Sequence, residues 1–325
     1  MTDPSETPTN TPGLPRLALG TMTFGKQTDA DSARTIVDSA IDSGVSFIDT
    51  ANVYVRGRSE EILGASLGGR RDQVILASKV GSPRGRPGTR LDSDTMRQEL
   101  EGSLQRLRTD YLDLYYLHRP DRQVPLEETL GALAEMMDEG LIRSIGTSNY
   151  PAWQLAQMHA IAGREGWQPA RVAQPMYNLL ARRIEDEYVE ATTSLGIANA
   201  VYNPLAGGLL TGKHRAGEEP AADSRFAHDQ FRDQYRDRYW NEAQFTAVDA
   251  LRQIADEAGI RMTELAFRWL LSQPHVDSII LGVSRLEQLT ENLDLCGRGP
   301  LPDDVLAACD TVRHLAHGIA PVHVK

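Results

Sequence analysis

Four polar residues stand at or just beyond the ends of short apolar runs: Asp49 closing VSFID, Tyr54 five positions later, Lys79 closing QVILASK and His118 closing LDLYYLH. Together they suit one task, the protonation of a carbonyl oxygen. A phenol with an ordinary pKa of ~10 is a weak acid unless its anion is stabilised. Lys79 can supply the stabilising charge, Asp49 can keep that ammonium charged and in place, and His118 can hydrogen-bond the carbonyl and polarise it. Singly, each residue has a plainer reading: a strand-end Asp caps the next helix, a lone Tyr packs, and a lone His is a satisfied structural group. The joint pattern is what points to chemistry. No metal-ligand spacing and no nucleophile elbow accompanies it in the sequence.

For these side chains to converge, their runs must be neighbouring strands. Eight short β-branched or apolar runs are candidates: 17–20, 45–49, 73–79, 112–118, 142–148, 171–174, 197–202 and 276–282. Amphipathic segments such as ADSARTIVDSAIDSG, SDTMRQELEGSLQRLR and PLEETLGALAEMMDEG separate them, several opening at Ser or Asp and closing at Gly. Eight strand–helix pairs without a dividing linker predict an α/β fold, one (β/α)8 TIM barrel over residues 14–325 with a C-terminal helix, preceded by a flexible leader at 1–13. In such a barrel the carboxyl ends of the strands share one mouth. The connection at 203–240 is far longer than the usual βα loop, which predicts a ligand-covering lid; its RDQYRDRYW is a candidate short helix, and its alternating charges also suit a solvated face.

The 325 residues are 41% hydrophobic and 24% charged, the balance of a globular protein. With 34 basic against 45 acidic residues the net charge is −11, which disfavours nucleic acid and anionic membranes, so a phosphate-bearing ligand needs a local basic pocket. Two cysteines, Cys296 and Cys309, make no disulfide framework. With no signal peptide or membrane span legible, a reducing cytoplasm is expected.

FIDTANVY, ILASK, LDLYYLHRPD and GLIRSIGTSNY resemble the signature segments of the aldo-keto reductases. GTMTFG, SNYPAWQ, QPMYNLLARRIEDE, NPLAGGLLTGK, RYW and ILGVSRLEQLTENL resemble the branch that includes aflatoxin aldehyde and succinic semialdehyde reductases. The resemblance implies a barrel that holds NADPH across its mouth without a Rossmann domain, reduces small-molecule aldehydes or ketones by hydride transfer, and forms a homodimer. Asp49, Tyr54, Lys79 and His118 match its catalytic tetrad, with Tyr54 the general acid. Ser148, Asn149 and Gln174 match the residues that bind the nicotinamide carboxamide, and Tyr202 the ring that stacks on nicotinamide. Gly20, Thr21 and Met22 border the cofactor. In NPLAGGLLTGK the resemblance brings Asn203, Pro204, Leu205, Gly207, Gly208, Leu209 and Lys213 to the pyrophosphate, consistent with glycines that let backbone amides approach and a lysine that offsets charge.

The adenosine end is expected near Gly282, Ser284, Arg285, Gln288, Glu291 and Asn292, with Ser284 as helix cap. The Lys and Arg that grip the 2′-phosphate in many family members are missing from this segment, leaving Arg285 to substitute and Arg225 of the long loop to close over it. NADPH is the expected cofactor, with NADH use open. The substrate wall is expected from Met22, Val55, His118, Arg119, Tyr239 and Trp240, and Lys325 would meet a substrate carboxylate only if the tail folds over the mouth. Three other readings compete: a barrel lyase with a Lys79 Schiff base, which leaves Ser148, Asn149, Gln174 and Tyr202 without roles; an NADPH-binding regulatory or redox-sensing subunit; and a reductase of a sugar or specialised-metabolite ketone.

Overall fold

The apolar runs become the strands of one sheet in the computed structural model, which describes residues 13–82, 90–221, 224–227 and 232–316. The expected leader, apart from Gly13, and Lys325 lie outside the described residues. The strands are β1 (Leu17–Gly20), β2 (Phe47–Asp49), β3 (Ile75–Val80), β4 (Leu114–Leu117), β5 (Ile145–Ser148), β6 (Val172–Gln174), β7 (Ala198–Val201) and β8 (Ser278–Gly282). Each pairs in parallel with the next and β8 pairs with β1, closing the barrel. The expected eight strands and their order are all present.

Six helices lie outside the first seven strands: α1 (Ala30–Asp42), α2 (Arg58–Leu67), α3 (Ser93–Leu107), α4 (Leu126–Asp138), α5 (Ala152–Glu165) and α6 (Tyr188–Ser194). Local chemistry starts them. The Asp29 carboxylate accepts from the Ser32 amide at 2.8 Å to cap α1, and Asp92 accepts from Thr95 at 3.0 Å to cap α3. After β7 the one-to-one alternation ends: α7 (Arg232–Tyr239), α8 (Glu242–Glu257) and α9 (Met262–Leu271) precede β8, and α10 (Leu286–Gly297) and α11 (Asp303–Thr311) follow it. The helix expected in RDQYRDRYW is α7. Gly259, at φ 65°, separates α8 from α9, a left-handed position that glycine occupies without strain.

Side-chain alternation divides the core in two. Ala18, Phe47, Ala77, Leu114, Tyr116, Val172, Ala200 and Ile280 fill the barrel, while Leu19, Ile48, Leu76, Tyr115 and Leu117 pack outward under the helices. Tyr116 fits because β5 carries glycine beside it: a Cβ on Gly146 would stand 2.4 Å from the Tyr116 ring. Register then sets the mouth. Gly20 pairs with Asp49, Asp49 with Ala77, Lys79 with Tyr116, and Ser148 with Gln174. A slip of one residue would turn Lys79 out into the helix layer.

Candidate active site

Tyr54 is delivered by an unusual turn. Beyond β2 the chain makes a 3-10 turn over Tyr54–Gly57 in which Val55 (φ 49°), Arg56 (φ 57°) and Gly57 (φ 89°) are all left-handed. A β-branched residue there is strained by about 1–3 kcal/mol and persists only where surroundings over-determine it. Arg106 from α3 provides that: its Cδ stands 2.9 Å from where a Gly57 Cβ would lie, and its Nε donates to the fully buried Glu60 at 2.7 Å. Glu60 also accepts from Ser78 Oγ, the residue before Lys79. The turn and β3 are thus tied through one buried carboxylate.

Lys79 is completely buried. Its Nζ donates to Asp49 Oδ1 at 2.5 Å, to the Thr50 carbonyl at 2.8 Å and to the Tyr54 hydroxyl at 3.3 Å. Burial opposes the ammonium, but the Asp49 carboxylate and the Tyr54 oxygen outweigh it and raise the Lys79 pKa above its ordinary value. Burial also raises the Tyr54 phenol, with Lys79 pulling it back only in part. Tyr54 therefore stands as a protonated donor, whereas the sequence alone suggested a phenol made more acidic. The His118 ring meets the Tyr54 ring edge-on at 6.1 Å between centroids. All four expected catalytic residues come together.

The neighbouring strand ends continue the network. Gln174 Nε2 donates to Asp49 Oδ2 at 2.8 Å, and Ser148 Oγ donates to the Gln174 carbonyl at 2.9 Å. Asn149, left-handed at φ 61°, donates from Nδ2 to the His118 carbonyl at 2.9 Å and to Ser148 Oγ at 3.0 Å, and its Oδ1 accepts from the Tyr202 hydroxyl at 2.9 Å. Much of the Asn149 amide is thus engaged in holding the strand ends together. Burial raises the Tyr202 phenol to about 12, opposed by Arg238, and Tyr235, Arg119 and Tyr54 also act on it. Thr21 is buried, its hydroxyl on the Asp49 carbonyl and near Ser59, so it braces β2; Gly20 lets Ile280 approach, and Met22 is half-buried at the rim.

The loop after β7 is stapled at its neck. Asn203 (φ 64°) accepts from the Gly207 amide at 2.7 Å and donates to the Tyr239 hydroxyl at 2.7 Å. Gly207 and Gly208 are left-handed; Gly207 makes room for the Tyr235 ring, and Gly208 faces open space. Pro204 and Leu209 are buried, Leu205 is half-buried and Lys213 is exposed. Arg225 donates to the Tyr235 hydroxyl at 3.1 Å, and its Nη2 lies 3.2 Å from where a Gly282 Cβ would be, which puts the loop's guanidinium beside the end of β8. At α10 the cap differs from expectation. Arg285 is the N-cap residue, its exposed side chain making no cap bond, while Gln288 Oε1 accepts from both the Ser284 amide and Ser284 Oγ, at 2.8 and 3.1 Å. Asn292 is buried on the same helix, and the exposed Glu291 is ion-paired with Arg261.

Two expected substrate-wall residues are placed otherwise. Tyr239 is fully buried with its hydroxyl held by Asn178, Asn203 and the Met176 sulfur, so it anchors the loop. Trp240 is half-buried, packed against Phe226 at 4.8 Å and Phe245 at 5.0 Å between ring centroids. Val55 and Arg119 remain half-buried. Sequence reasoning missed Arg238, only 3% exposed, whose Nη1 meets the Met176 sulfur at 3.7 Å and whose Nε has no hydrogen-bond partner. A buried cation with no paired carboxylate among the described residues asks for an anion. The signal was available: Tyr235, Arg238 and Tyr239 recur at helical spacing on one face of an otherwise charged segment.

A closed parallel barrel with an acid–base constellation at the carboxyl ends of its strands defines a barrel enzyme. The Aldo/keto reductase family model matches residues 16–314, and the chain belongs to that family. It is 37% identical to human aflatoxin B1 aldehyde reductase member 2, over 97% of this chain and 91% of the relative, and 37% identical to human aldo-keto reductase family 7 member A3, over 96% and 97%. It is also 38% identical to a probable voltage-gated potassium channel subunit beta of Arabidopsis thaliana, over 84% of each. The protein is an oxidoreductase of the carbonyl-reducing kind. No helix among the described residues is long and apolar enough to cross a membrane.

Proposed function

We propose that the protein reduces the carbonyl group of an aldehyde or ketone with NADPH, Tyr54 delivering the proton. The observation that carries this is the buried Asp49–Lys79 pair with its ammonium 3.3 Å from the Tyr54 hydroxyl at the barrel mouth. As the carbonyl oxygen gains electron density it becomes more basic than a phenolate, and Tyr54 gives up its proton to it. Lys79 stabilises the phenolate left behind, Asp49 holds Lys79, and His118, edge-on to Tyr54, orients and polarises the carbonyl.

The residues present fit the cofactor. Ser148 and Gln174 offer a carboxamide both donor and acceptor atoms, the open face at Gly208 admits a pyrophosphate to the backbone, and Arg225 and Arg285 bring positive charge to the end of β8 and the start of α10. When bound, the nicotinamide supplies the hydride. Arg238 adds a preference for carbonyl compounds that carry an anionic group, since a carboxylate would pair its buried guanidinium.

NADPH titration by tryptophan quenching, followed by nicotinamide absorbance with succinic semialdehyde and an uncharged aromatic aldehyde, tests the reading. Binding with oxidation supports it; no binding overturns the cofactor assignment. Arg238→Leu should raise KM for the acidic aldehyde about tenfold or more and leave the uncharged one within about twofold; an equal effect on both removes Arg238 from substrate recognition.

A second reading, an NADPH-binding regulatory subunit, has the likeness to the channel subunit behind it. Tight NADPH binding with negligible turnover on every carbonyl compound would favour it. Buried free thiols at Cys296 and Cys309, both raised by burial to about 12, support a reducing cytoplasm. A homodimer goes with the branch resemblance, and light scattering tests it.

A further inference from the structure

One hydrogen-bonded chain crosses the mouth through the ends of five strands. It runs from the Tyr202 hydroxyl to Asn149, from Asn149 to Ser148 Oγ, from Ser148 to the Gln174 carbonyl, from Gln174 Nε2 to Asp49, and through Lys79 to Tyr54. The cofactor-facing residues and the acid are therefore one connected set, and Gln174 is the junction. We propose that Gln174 is a positioning residue for proton donation: by donating to Asp49 Oδ2 it fixes the carboxylate that holds Lys79, and so ties the strength of the acid at Tyr54 to what docks on its own amide.

The orientation of that amide is forced. A carboxylate only accepts hydrogen bonds, so at 2.8 Å from Asp49 Oδ2 the Gln174 nitrogen must face it and Oε1 must turn elsewhere. Both residues are buried, Gln174 at 4% and Asp49 at 2% exposure, so water does not readily replace a lost donor. Asp49 then has one oxygen on Lys79 and one on Gln174, which stops the carboxylate from rotating. The groups facing the Lys79 ammonium are the Asp49 carboxylate, the Thr50 carbonyl, the Tyr54 phenol and the Tyr116 ring at 5.7 Å; Tyr235 also acts on Tyr54. Of these, Asp49 is the acceptor that Gln174 controls. An N–H donated to Gln174 Oε1 polarises the amide and strengthens its bond to Asp49. A docked carboxamide would thus hold the Gln174 donor on Asp49 and keep the carboxylate fixed against Lys79, and the acid would be fully positioned only with the cofactor amide in place.

The proposal rests on the reductase reading, and its test separates the two. In cofactor-free protein with nitrogen-15 lysine, four lysines contribute signals and Lys79→Met assigns the relevant one. Replacing Gln174 with leucine should speed proton exchange at the Lys79 ammonium about tenfold, the equivalent of one pKa unit. The loosened pair lowers the Lys79 pKa, so the alkaline limb of single-turnover hydride transfer should move down by about one pH unit. If lysine exchange and the alkaline limb both stay put while NADPH affinity falls, Gln174 only binds cofactor and the proposal is wrong. If Gln174→Leu does not fold by circular dichroism, Gln174→Met keeps the length without the amide and is read in its place. A wild type that reduces nothing would sink the reductase reading alone, because the lysine measurement needs neither cofactor nor substrate.

Discussion

At the scale of single residues, the acid is set by a contest between burial and one ammonium. Burial holds the Tyr54 phenol above its ordinary range and Asp49 holds Lys79 above its own, so both keep their protons through neutral pH and lose them only on the alkaline side. Reductive turnover should then be level across neutrality and fall above about pH 10; an acid limb of activity near pH 6 to 8 that requires a deprotonated group would contradict it. Tyr54→Phe removes only the hydroxyl proposed as proton donor. It should lower turnover by about 10²- to 10⁴-fold with NADPH affinity within a few-fold of wild type, and wild-type rates in that variant would remove Tyr54 from its role. These four residues were legible in the sequence because each follows a short apolar run whose end marks the mouth. Arg238 was overlooked, its aromatic face with Tyr235 and Tyr239 being masked by the charged residues around it. Tyr239 was misjudged for the complementary reason: an aromatic in a long loop suits a binding wall and a packing anchor equally, and the bonds to Asn178 and Asn203 that decide come from distant parts of the chain.

At the scale of elements, the turn at Tyr54–Gly57 concentrates strain beside the reacting atom, and Gly57 is its weakest point to substitution. Gly57→Ala brings a Cβ into a left-handed φ of 89° and against Arg106 at once. Chemical denaturation should show a loss of about 1–3 kcal/mol, accompanied by lower turnover because Tyr54 is displaced; unchanged stability would mean that the turn relaxes freely. The strands themselves were readable from apolar runs, and their ends to within a few residues. Of the three helices between β7 and β8, α7 was readable in RDQYRDRYW, whereas α8 and α9 were not resolved from each other, since only the four residues 258–261 around Gly259 divide them.

At the scale of the whole molecule, the C-terminal helix is fastened to the barrel by ion pairs that join distant parts of the chain. Arg182 bonds Glu185 and Asp310 at 2.7 and 2.8 Å with its guanidinium 4.9 Å above the Trp269 ring, and Arg313 reaches Asp186 at 2.6 Å. Arg182 side-chain exposure is 9%, and Glu185 keeps the Tyr177 hydroxyl and Arg313 as partners without it, so Arg182→Met should cost about 1.5–3 kcal/mol, lowering the thermal midpoint by a few degrees with the NADPH affinity unchanged. A midpoint within a degree of wild type would show the latch to be ornamental to stability. The Arg182–Asp310 and Arg313–Asp186 pairings have no local signal, since the partners are more than a hundred residues apart.

The neck of the long loop has an evolutionary consequence. Asn203, the first residue after Tyr202, donates to the hydroxyl of Tyr239, the residue before Trp240, so the two ends of the segment are held together whatever the length of chain between. Closing a loop costs only about 0.6 kcal/mol for each doubling of its length. Insertions and deletions between Lys213 and Arg225 can accordingly be sampled while Gly207, Gly208, Arg225, Tyr235 and Arg238 are kept, which makes this stretch the natural currency of diversification and the first place to graft a new specificity.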